Sequence, residues 1–128
     1  MDRTDALMEQ SVSWRLLVVE DQAMIAMLLC DMLDELGHIV VGPAARVEFA
    51  LALLGAGTID GAILDANLDG HSSAPVARAL ERRGLPYLVA SGYGDAELRQ
   101  LGFEGKAIGK PFRQNELALA LETVMTSR

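Results

Sequence analysis

The sequence predicts one α/β domain in which five strands alternate with five helices, (βα)₅, around a doubly wound, five-stranded parallel sheet. Short runs rich in Val, Leu and Ile recur along the 128 residues, and each is too short to be a helix. Segments with an apolar period of 3.6 residues separate these runs. Strands that alternate with helices in this way form a parallel sheet covered on both faces, joined by right-handed crossovers.

Five elements are expected in the first half of the chain. The first helix has its apolar residues on one side and ends at Gly37, and the second ends before Gly55. The second strand is expected to break at Gly42-Pro43. In order, the expected elements are a strand over 15–19, a helix over 22–36, a strand over 38–41, a helix over 44–54 and a strand over 59–64.

The second half repeats the alternation with shorter elements. A loop over 67–73 precedes a third helix, which carries Pro75 in its first turn and ends at Gly84. A fourth strand opens at Pro86. A short helix over 95–101, a strand over 106–109 and an amphipathic helix over 113–125 complete the fold. We therefore expect an N-terminal extension over 1–14 and one domain over 15–126, with no room for an effector domain.

Composition excludes several classes of protein. The chain is 51% hydrophobic and 23% charged, a balance typical of globular domains. Cys30 is the only cysteine, and the longest apolar run, 23–30, is too short to span a membrane. Acidic residues in the first nine positions are unlike a secretory signal, so we expect a cytoplasmic protein.

The charge pattern argues against binding to nucleic acid. The formal net charge is −7, and the eleven basic residues are scattered, with Arg82-Arg83 as the only adjacent pair. Nucleic-acid-binding proteins instead concentrate Lys and Arg on one face. We expect neither a nucleic acid nor a membrane as partner.

Four of the expected strands end in polar residues suited to phosphoryl transfer. These residues are Glu20-Asp21, Asp65, Ser91 and Lys110. Carboxyl ends of parallel strands share one edge of the sheet, so these side chains should converge. Carboxylates are the ligands that Mg²⁺ prefers. Taken singly, each residue also has a structural explanation, such as a helix cap for Asp65 or a surface lysine for Lys110. The combination in this order points to a site.

With these residues the chain resembles a response-regulator receiver domain, which has the flavodoxin/CheY-like fold, from about Arg15 to Met125. The motifs that carry the resemblance are Val18-Val19-Glu20-Asp21, Ile63-Leu64-Asp65-Ala66-Asn67-Leu68, Val89-Ala90-Ser91-Gly92 and Lys110-Pro111-Phe112.

The resemblance implies a role for each residue of the site. Asp65 would accept the phosphoryl group. Mg²⁺ would be held by Asp21 directly, by Glu20 largely through water, by Asp65 and by the backbone carbonyl of Asn67. Ser91 and Lys110 would each contact a phosphoryl oxygen. Pro111 would follow a cis peptide bond.

One sub-group of these proteins is marked by a Phe-Ala-Thr-Gly-Tyr motif, which 89–93 resembles with Val for Phe and Ser for Thr. The resemblance implies a stand-alone receiver and a switch that involves Ser91 and Tyr93. Ala107 departs from the family pattern, because most receivers carry an aromatic residue three positions before the lysine. The usual hydroxyl–aromatic switch is therefore not expected.

The expected function is a single-domain response regulator that takes phosphate from a histidine kinase or a histidine phosphotransfer protein and signals by binding a downstream protein. Apart from its own phosphorylation and dephosphorylation, it would not be an enzyme. A small Mg²⁺-dependent phosphatase of the haloacid-dehalogenase type is an alternative, but it normally has an acid two residues after the nucleophile, where this chain has Asn67. A degenerate receiver that only binds partners is the other alternative.

Two further expectations concern packing. Met24, Met27 and Met32 recur at helical spacing and are expected in or near the core. His38 and His71 are expected to be structural or solvated, so neither is assigned to the site.

Overall fold

The computed structural model describes residues 12–126, so residues 1–11 of the expected N-terminal extension lie outside the described part. Its strands are β1 (Arg15–Val19), β2 (Ile39–Ala44), β3 (Gly61–Asp65), β4 (Asn67–Leu68), β5 (His71–Ser72), β6 (Tyr87–Ser91) and β7 (Lys106–Gly109). Its helices are α1 (Ala23–Glu35), α2 (Val47–Ala56), α3 (Ala74–Arg82), α4 (Asp95–Gln100) and α5 (Gln114–Thr126). No helix within residues 12–126 is long and apolar enough to cross a bilayer.

Five strands form one parallel sheet in the order β2-β1-β3-β6-β7. β1 lies between β2 and β3, so the chain adds β2 on one side of β1 and then adds the remaining strands of the sheet on the other side. This order confirms the predicted doubly wound α/β fold. It also creates a point beside β1 and β3 where successive connections diverge, and open α/β sheets bind ligands at such a point.

Alternate residues of the strands belong to two hydrophobic cores, one on each face of the sheet. Leu17 and Leu64 belong to the core that includes Ala50 and Leu54 of α2 and Val76 of α3. The neighbouring residues Leu16, Val18 and Ile63 belong to the core that α1 and α5 cover, with Leu29, Leu33, Leu117 and Leu121. Because both faces of β1, β3 and β6 are buried, these strands read as continuous apolar runs, which is what made them recognisable in the sequence.

The expectation that the methionines of α1 lie in or near the core is wrong for two of them. Ala26, Leu29 and Leu33 are the residues of α1 that are buried. Met32 is half-buried against that core, whereas Met24 is 76% exposed and Met27 is 65% exposed. Apolar residues cover almost the whole circumference of this helix, so periodicity alone did not identify the buried side.

Two local features differ from the expected elements. β2 does not break at Gly42-Pro43 but continues to Ala44, with a cis peptide bond before Pro43 and an irregularity in its pairing with β1. The expected loop over 67–73 contains a small antiparallel hairpin, β4–β5. The cis peptide bond expected before Pro111 is confirmed.

Candidate functional site

The carboxyl ends of four strands meet at one edge of the sheet. Val19, at the end of β1, pairs with Leu64, so Glu20 follows β1 beside Asp65. Asp65 pairs with Ala90. Ser91 pairs with Gly109, which directly precedes Lys110. The sheet register thus brings the polar residues predicted from the strand ends to the same edge.

Three carboxylates and one ammonium group form the centre of this edge. Glu20, Asp21 and Asp65 each offer a carboxylate oxygen, and these oxygens lie within 4.8 Å of one another. Lys110 Nζ lies 2.7 Å from Glu20 Oε1 and 3.2 Å from Asp65 Oδ2. Lys110 is 90 residues from Glu20 in the sequence, yet it joins the ends of β1 and β3.

Burial shapes the electrostatics of the pair formed by Glu20 and Lys110. Glu20 is 3% exposed, and burial raises the pKa of its carboxyl group, while hydrogen bonds from Lys110 and from the backbone N–H of Gln22 act in the opposite direction. Burial by itself would lower the pKa of Lys110, but the hydrogen bond to Glu20 and the charge of Asp65 outweigh it and raise this pKa. Lys110 therefore stays cationic at neutral pH and offsets part of the negative charge.

Ser91 lies at the end of β6 and is buried. Its Oγ accepts a hydrogen bond of 2.9 Å from the backbone N–H of Tyr93. Its own hydroxyl hydrogen can then be donated to a ligand oxygen. Tyr93 is 40% exposed. Ala107 is half-buried and lines a cavity of about 210 Å³ beside α4, together with Leu98 and others.

Asn67 begins the β4–β5 hairpin, which the sequence interpretation missed. Its backbone N–H donates to Asp65 Oδ1 over 3.2 Å, and its side-chain Oδ1 accepts from the N–H of Gly70 over 2.7 Å. Asp69-Gly70 is a strong hairpin signal that was present in the sequence. The strands on either side have only two residues each, too few to show an alternating pattern.

Ser73, unlike Asn67, was not assigned to the site by the sequence interpretation. It is fully buried, and its Oγ donates a hydrogen bond of 2.5 Å to the backbone carbonyl of Asp65. In the sequence Ser73 is only the last residue of the loop expected before the third helix. In the structure it also ties that helix to the strand end that carries Asp65.

The donor set fits a small divalent cation with hard oxygen ligands. All three members of the acidic cluster are carboxylates, and neither Cys nor His belongs to it. Mg²⁺ is usually held in proteins by one or two carboxylates together with waters and phosphate oxygens. Proteins with an open parallel α/β sheet bind their ligands at the carboxyl edge of the strands, and the acidic cluster makes this edge suited to a divalent cation.

Comparison with known proteins gives the family. Residues 16–122 match the response regulator receiver domain, which is most of the chain. The chain therefore belongs to the response regulator receiver family, the receiver domains of two-component systems.

Individual relatives agree with this assignment. The transcriptional regulatory protein TcrA of Mycobacterium tuberculosis is 33% identical over 115 residues, which are 86% of this chain and 45% of TcrA. The solution structure of SdrG from Sphingomonas melonis Fr1 is 38% identical with a TM-score of 0.77, and the match covers 91% of this chain and 98% of SdrG. The response regulator PhyR from Brucella abortus is 25% identical with a TM-score of 0.80, over 96% of this chain and 52% of PhyR.

The chain spans about half the length of several curated relatives that it matches. The shares are 45% for TcrA and 51% for the phosphate regulon regulatory protein PhoB of Escherichia coli, which is 33% identical over 118 residues. These relatives support the receiver domain only, and the activities of the whole relatives are not assigned to this chain.

Proposed function

We propose that the protein accepts a phosphoryl group from a phosphohistidine onto Asp65, in a Mg²⁺-dependent reaction, and signals by binding another protein. The observation that carries the proposal is the position of Lys110 Nζ, within 3.2 Å of Asp65 Oδ2 and 2.7 Å of Glu20 Oε1, where four strand ends meet. The donor would be a histidine kinase or a histidine phosphotransfer protein.

In the proposed reaction a carboxylate oxygen of Asp65 attacks the phosphorus atom. The new O–P bond replaces the P–N bond of the phosphohistidine, and the imidazole leaves with the electron pair and takes a proton from solvent. The step needs no general base, because a carboxylate oxygen attacks with its own lone pair and has no proton to lose. The main barrier is the repulsion between a carboxylate and a negatively charged phosphoryl group.

The residues around Asp65 are suited to reducing that repulsion. Lys110 places a positive charge beside Asp65 Oδ2 and would contact one phosphoryl oxygen. Ser91 would donate its hydroxyl hydrogen to another. Glu20, Asp21, Asp65 and the backbone carbonyl of Asn67 would hold Mg²⁺, which supplies electrostatic stabilisation of the transferring group when bound.

The same geometry does not favour a phosphatase of the haloacid-dehalogenase type. Such an enzyme needs an acid two residues after the nucleophile to protonate the leaving group. Here that residue is Asn67, and its side-chain oxygen accepts a hydrogen bond from Gly70 within the hairpin. We propose that the protein turns over no separate substrate. The cluster of Glu20, Asp21, Asp65 and Lys110 likewise favours a phosphorylated receiver over a degenerate one.

The direct chemical test uses a small phosphodonor such as acetyl phosphate with Mg²⁺. We expect intact-mass measurement to show one added phosphoryl group that is stable in acid and labile in base, as an acyl phosphate is. Asp65→Asn should abolish the addition. Asp69→Asn is the matched control, because Asp69 is an exposed acid on the same loop and asparagine tolerates its backbone φ of 52°. The assignment is wrong if Asp65→Asn is labelled at the rate of the native protein.

A further inference from the structure

The β4–β5 hairpin connects Asp65 to α3 through a turn with an unusual backbone. Asp69 has a φ of 52° and Gly70 a φ of 86°, so both central residues lie in the left-handed region. Two such residues in a two-residue connection make a type I′ turn, whose twist matches that of the strands it joins. The hairpin is therefore a defined structure and not an irregular loop.

The base of the hairpin is fixed to the core. The backbone N–H of Ser73 donates to the carbonyl of Ala66 over 3.1 Å, and Ser73 Oγ donates to the carbonyl of Asp65 over 2.5 Å. Leu68 is 2% exposed and packs into the core under α2 and α3. The turn, by contrast, lies at the surface, with Asp69 and Gly70 exposed.

The register of the hairpin determines where the carbonyl of Asn67 points. Leu68 pairs with His71 and closes the turn, and Asn67 pairs with Ser72. In an antiparallel ladder, hydrogen-bonded and non-hydrogen-bonded pairs alternate. The next pair outward, Ala66 with Ser73, is hydrogen-bonded. Asn67 and Ser72 thus form a non-hydrogen-bonded pair, and the ladder does not use the backbone carbonyl of Asn67.

The backbone N–H and the side-chain oxygen of Asn67 both have partners, on opposite sides of the residue. Its N–H donates to Asp65 Oδ1, and its side-chain Oδ1 accepts from the N–H of Gly70. The conformation of Asn67 is consequently set by the acidic cluster at one end and by the turn at the other. A ligand held in this way loses less conformational freedom when a cation binds.

We propose that the hairpin is a preset arm that presents the backbone carbonyl of Asn67 to the divalent cation, with Gly70 and Ser73 as positioning residues. The inference rests on the proposed Mg²⁺ site and adds to it the device that positions one ligand. It places a determinant of cation affinity at the turn, three residues away from the ligand that it positions.

The test compares Gly70→Ala with a matched substitution elsewhere. Gly37 has a φ of 90°, and an added Cβ would meet nothing within 4 Å at Gly37 or at Gly70. Both substitutions therefore impose the same left-handed strain without a clash, but only Gly70 lies in the arm. The measurement is the Mg²⁺ dissociation constant, obtained from amide chemical shifts or from the thermal midpoint as a function of Mg²⁺ concentration.

We expect Gly70→Ala to weaken Mg²⁺ binding by about five- to tenfold, because alanine favours a free arm that has left the left-handed conformation, and restoring that conformation when the cation binds costs strain that converts to a factor of this order. Gly37→Ala should lower the thermal midpoint but leave the dissociation constant unchanged. Asn67→Ala, which keeps the backbone carbonyl and removes the side-chain bond to Gly70, should weaken binding in the same direction. If Gly70→Ala does not fold, Asn67→Ala still tests the proposed role of the hairpin.

The outcomes separate this inference from the proposed function. If the native protein binds Mg²⁺ and Asp21→Ala abolishes binding, the proposed Mg²⁺ site is supported. Equal dissociation constants for native protein, Gly70→Ala and Asn67→Ala would then contradict the proposal that the hairpin positions Asn67, and would leave the proposed Mg²⁺ site in place. If the native protein shows no response to Mg²⁺, the proposed site itself fails.

Discussion

At the scale of single residues, Lys110 offsets part of the negative charge of the three carboxylates that meet at one edge of the sheet. It pairs with the buried carboxylate of Glu20 and with Asp65, which reduces their mutual repulsion before any cation or phosphoryl group arrives. Removing one partner of such a pair leaves a charge buried without compensation. The same contact therefore supports the fold at the strand ends and, in the proposed reaction, would offset the negative charge of the incoming phosphoryl group.

A different residue, His38, makes the opposite end of β1 sensitive to pH. Its Nδ1 accepts a hydrogen bond of 3.2 Å from the backbone N–H of Trp14, and the two rings stack with centroids 4.9 Å apart. Burial lowers the pKa of His38 below its usual value of 6.5. The folded protein consequently favours the neutral imidazole, since protonation would place two donors against each other.

We expect the free energy of unfolding to fall as the pH drops through about 6.5 toward the lower pKa of the folded state, because the unfolded chain then binds more protons. Urea unfolding at pH 8 and pH 5.5 measures this loss. His38→Asn keeps an acceptor near the position of Nδ1 but cannot be protonated, so it should lose less stability over the same range.

Trp14 is the only tryptophan, so its fluorescence reports the protonation of His38 in the native state. A protonated imidazole quenches a stacked indole, and the midpoint of quenching should lie below pH 6.5. A midpoint above 6.5, or an unchanged pH dependence of stability in His38→Asn, would contradict this assignment.

At the scale of elements, we expect α4 to be the least stable helix of the described fold. It has six residues, of which only Leu98 is buried, and residues 92–97 are exposed. Helices this short are marginal without tertiary contacts. Its two ends differ, however, because the loop after it is tied to α3 and β6 whereas Gly92 and Gly94 precede it.

Side chains of α3 and β6 hold the loop after α4. Arg78 forms an ion pair of 2.8 Å with Glu81 and also donates to the carbonyl of Gly102. Tyr87 donates to Glu81 over 2.5 Å and accepts from the N–H of Glu104 over 3.3 Å. Movement that starts at Ser91 should therefore pivot about residues 102–104.

We expect phosphorylation to pull Ser91 toward Asp65 and to order residues 92–102, most strongly at their N-terminal end. Amide hydrogen exchange with and without beryllofluoride and Mg²⁺ measures this change. Exchange should slow over 92–98 and change little at 103–104, and Asp65→Asn should show no response. The mechanism is wrong if residues 92–102 are already as protected as β1 and β3 in the free protein, or if the mimic leaves them unchanged.

The elements that the sequence predicted well are those with long apolar runs. β1, β3 and β6 were recognised because both of their faces are buried, whereas β7 is a partly exposed edge strand that was recognised from its short apolar run before Lys110. The ends of these four strands located Glu20, Asp65, Ser91 and Lys110. The β4–β5 hairpin was missed because its order comes from two tertiary contacts, the burial of Leu68 and the hydrogen bonds of Ser73. Neither contact leaves a periodic pattern.

The exposed methionines of α1 show a second limit of sequence interpretation. Met24 and Met27 have the spacing of core residues, and only the packing of α1 on the sheet places them outside. Likewise, the continuation of β2 through Gly42-Pro43 depends on its pairing with β1 and was not visible in the local sequence. Periodicity identifies elements, and tertiary packing decides their orientation and limits.

At the scale of the whole molecule, two hydrophobic cores hold the five strands from both sides, and the site lies where the strands emerge from between them. The strand ends of the site are therefore held by buried residues such as Val19 and Leu64, whereas the connecting loops remain accessible. This division suits a module whose stable core carries the acceptor and whose loops carry the signal.

The most direct measurement of the central claim is transfer from phosphorylated histidine kinases and histidine phosphotransfer proteins of the host, followed over time. We expect one or a few donors to lose their phosphoryl group rapidly to this protein in the presence of Mg²⁺, with none transferred to Asp65→Asn. Chelation of the metal should stop the transfer. If every donor keeps its phosphoryl group, or if Asp65→Asn accepts it as fast as the native protein, Asp65 is not the acceptor of a phosphorelay and the account is wrong.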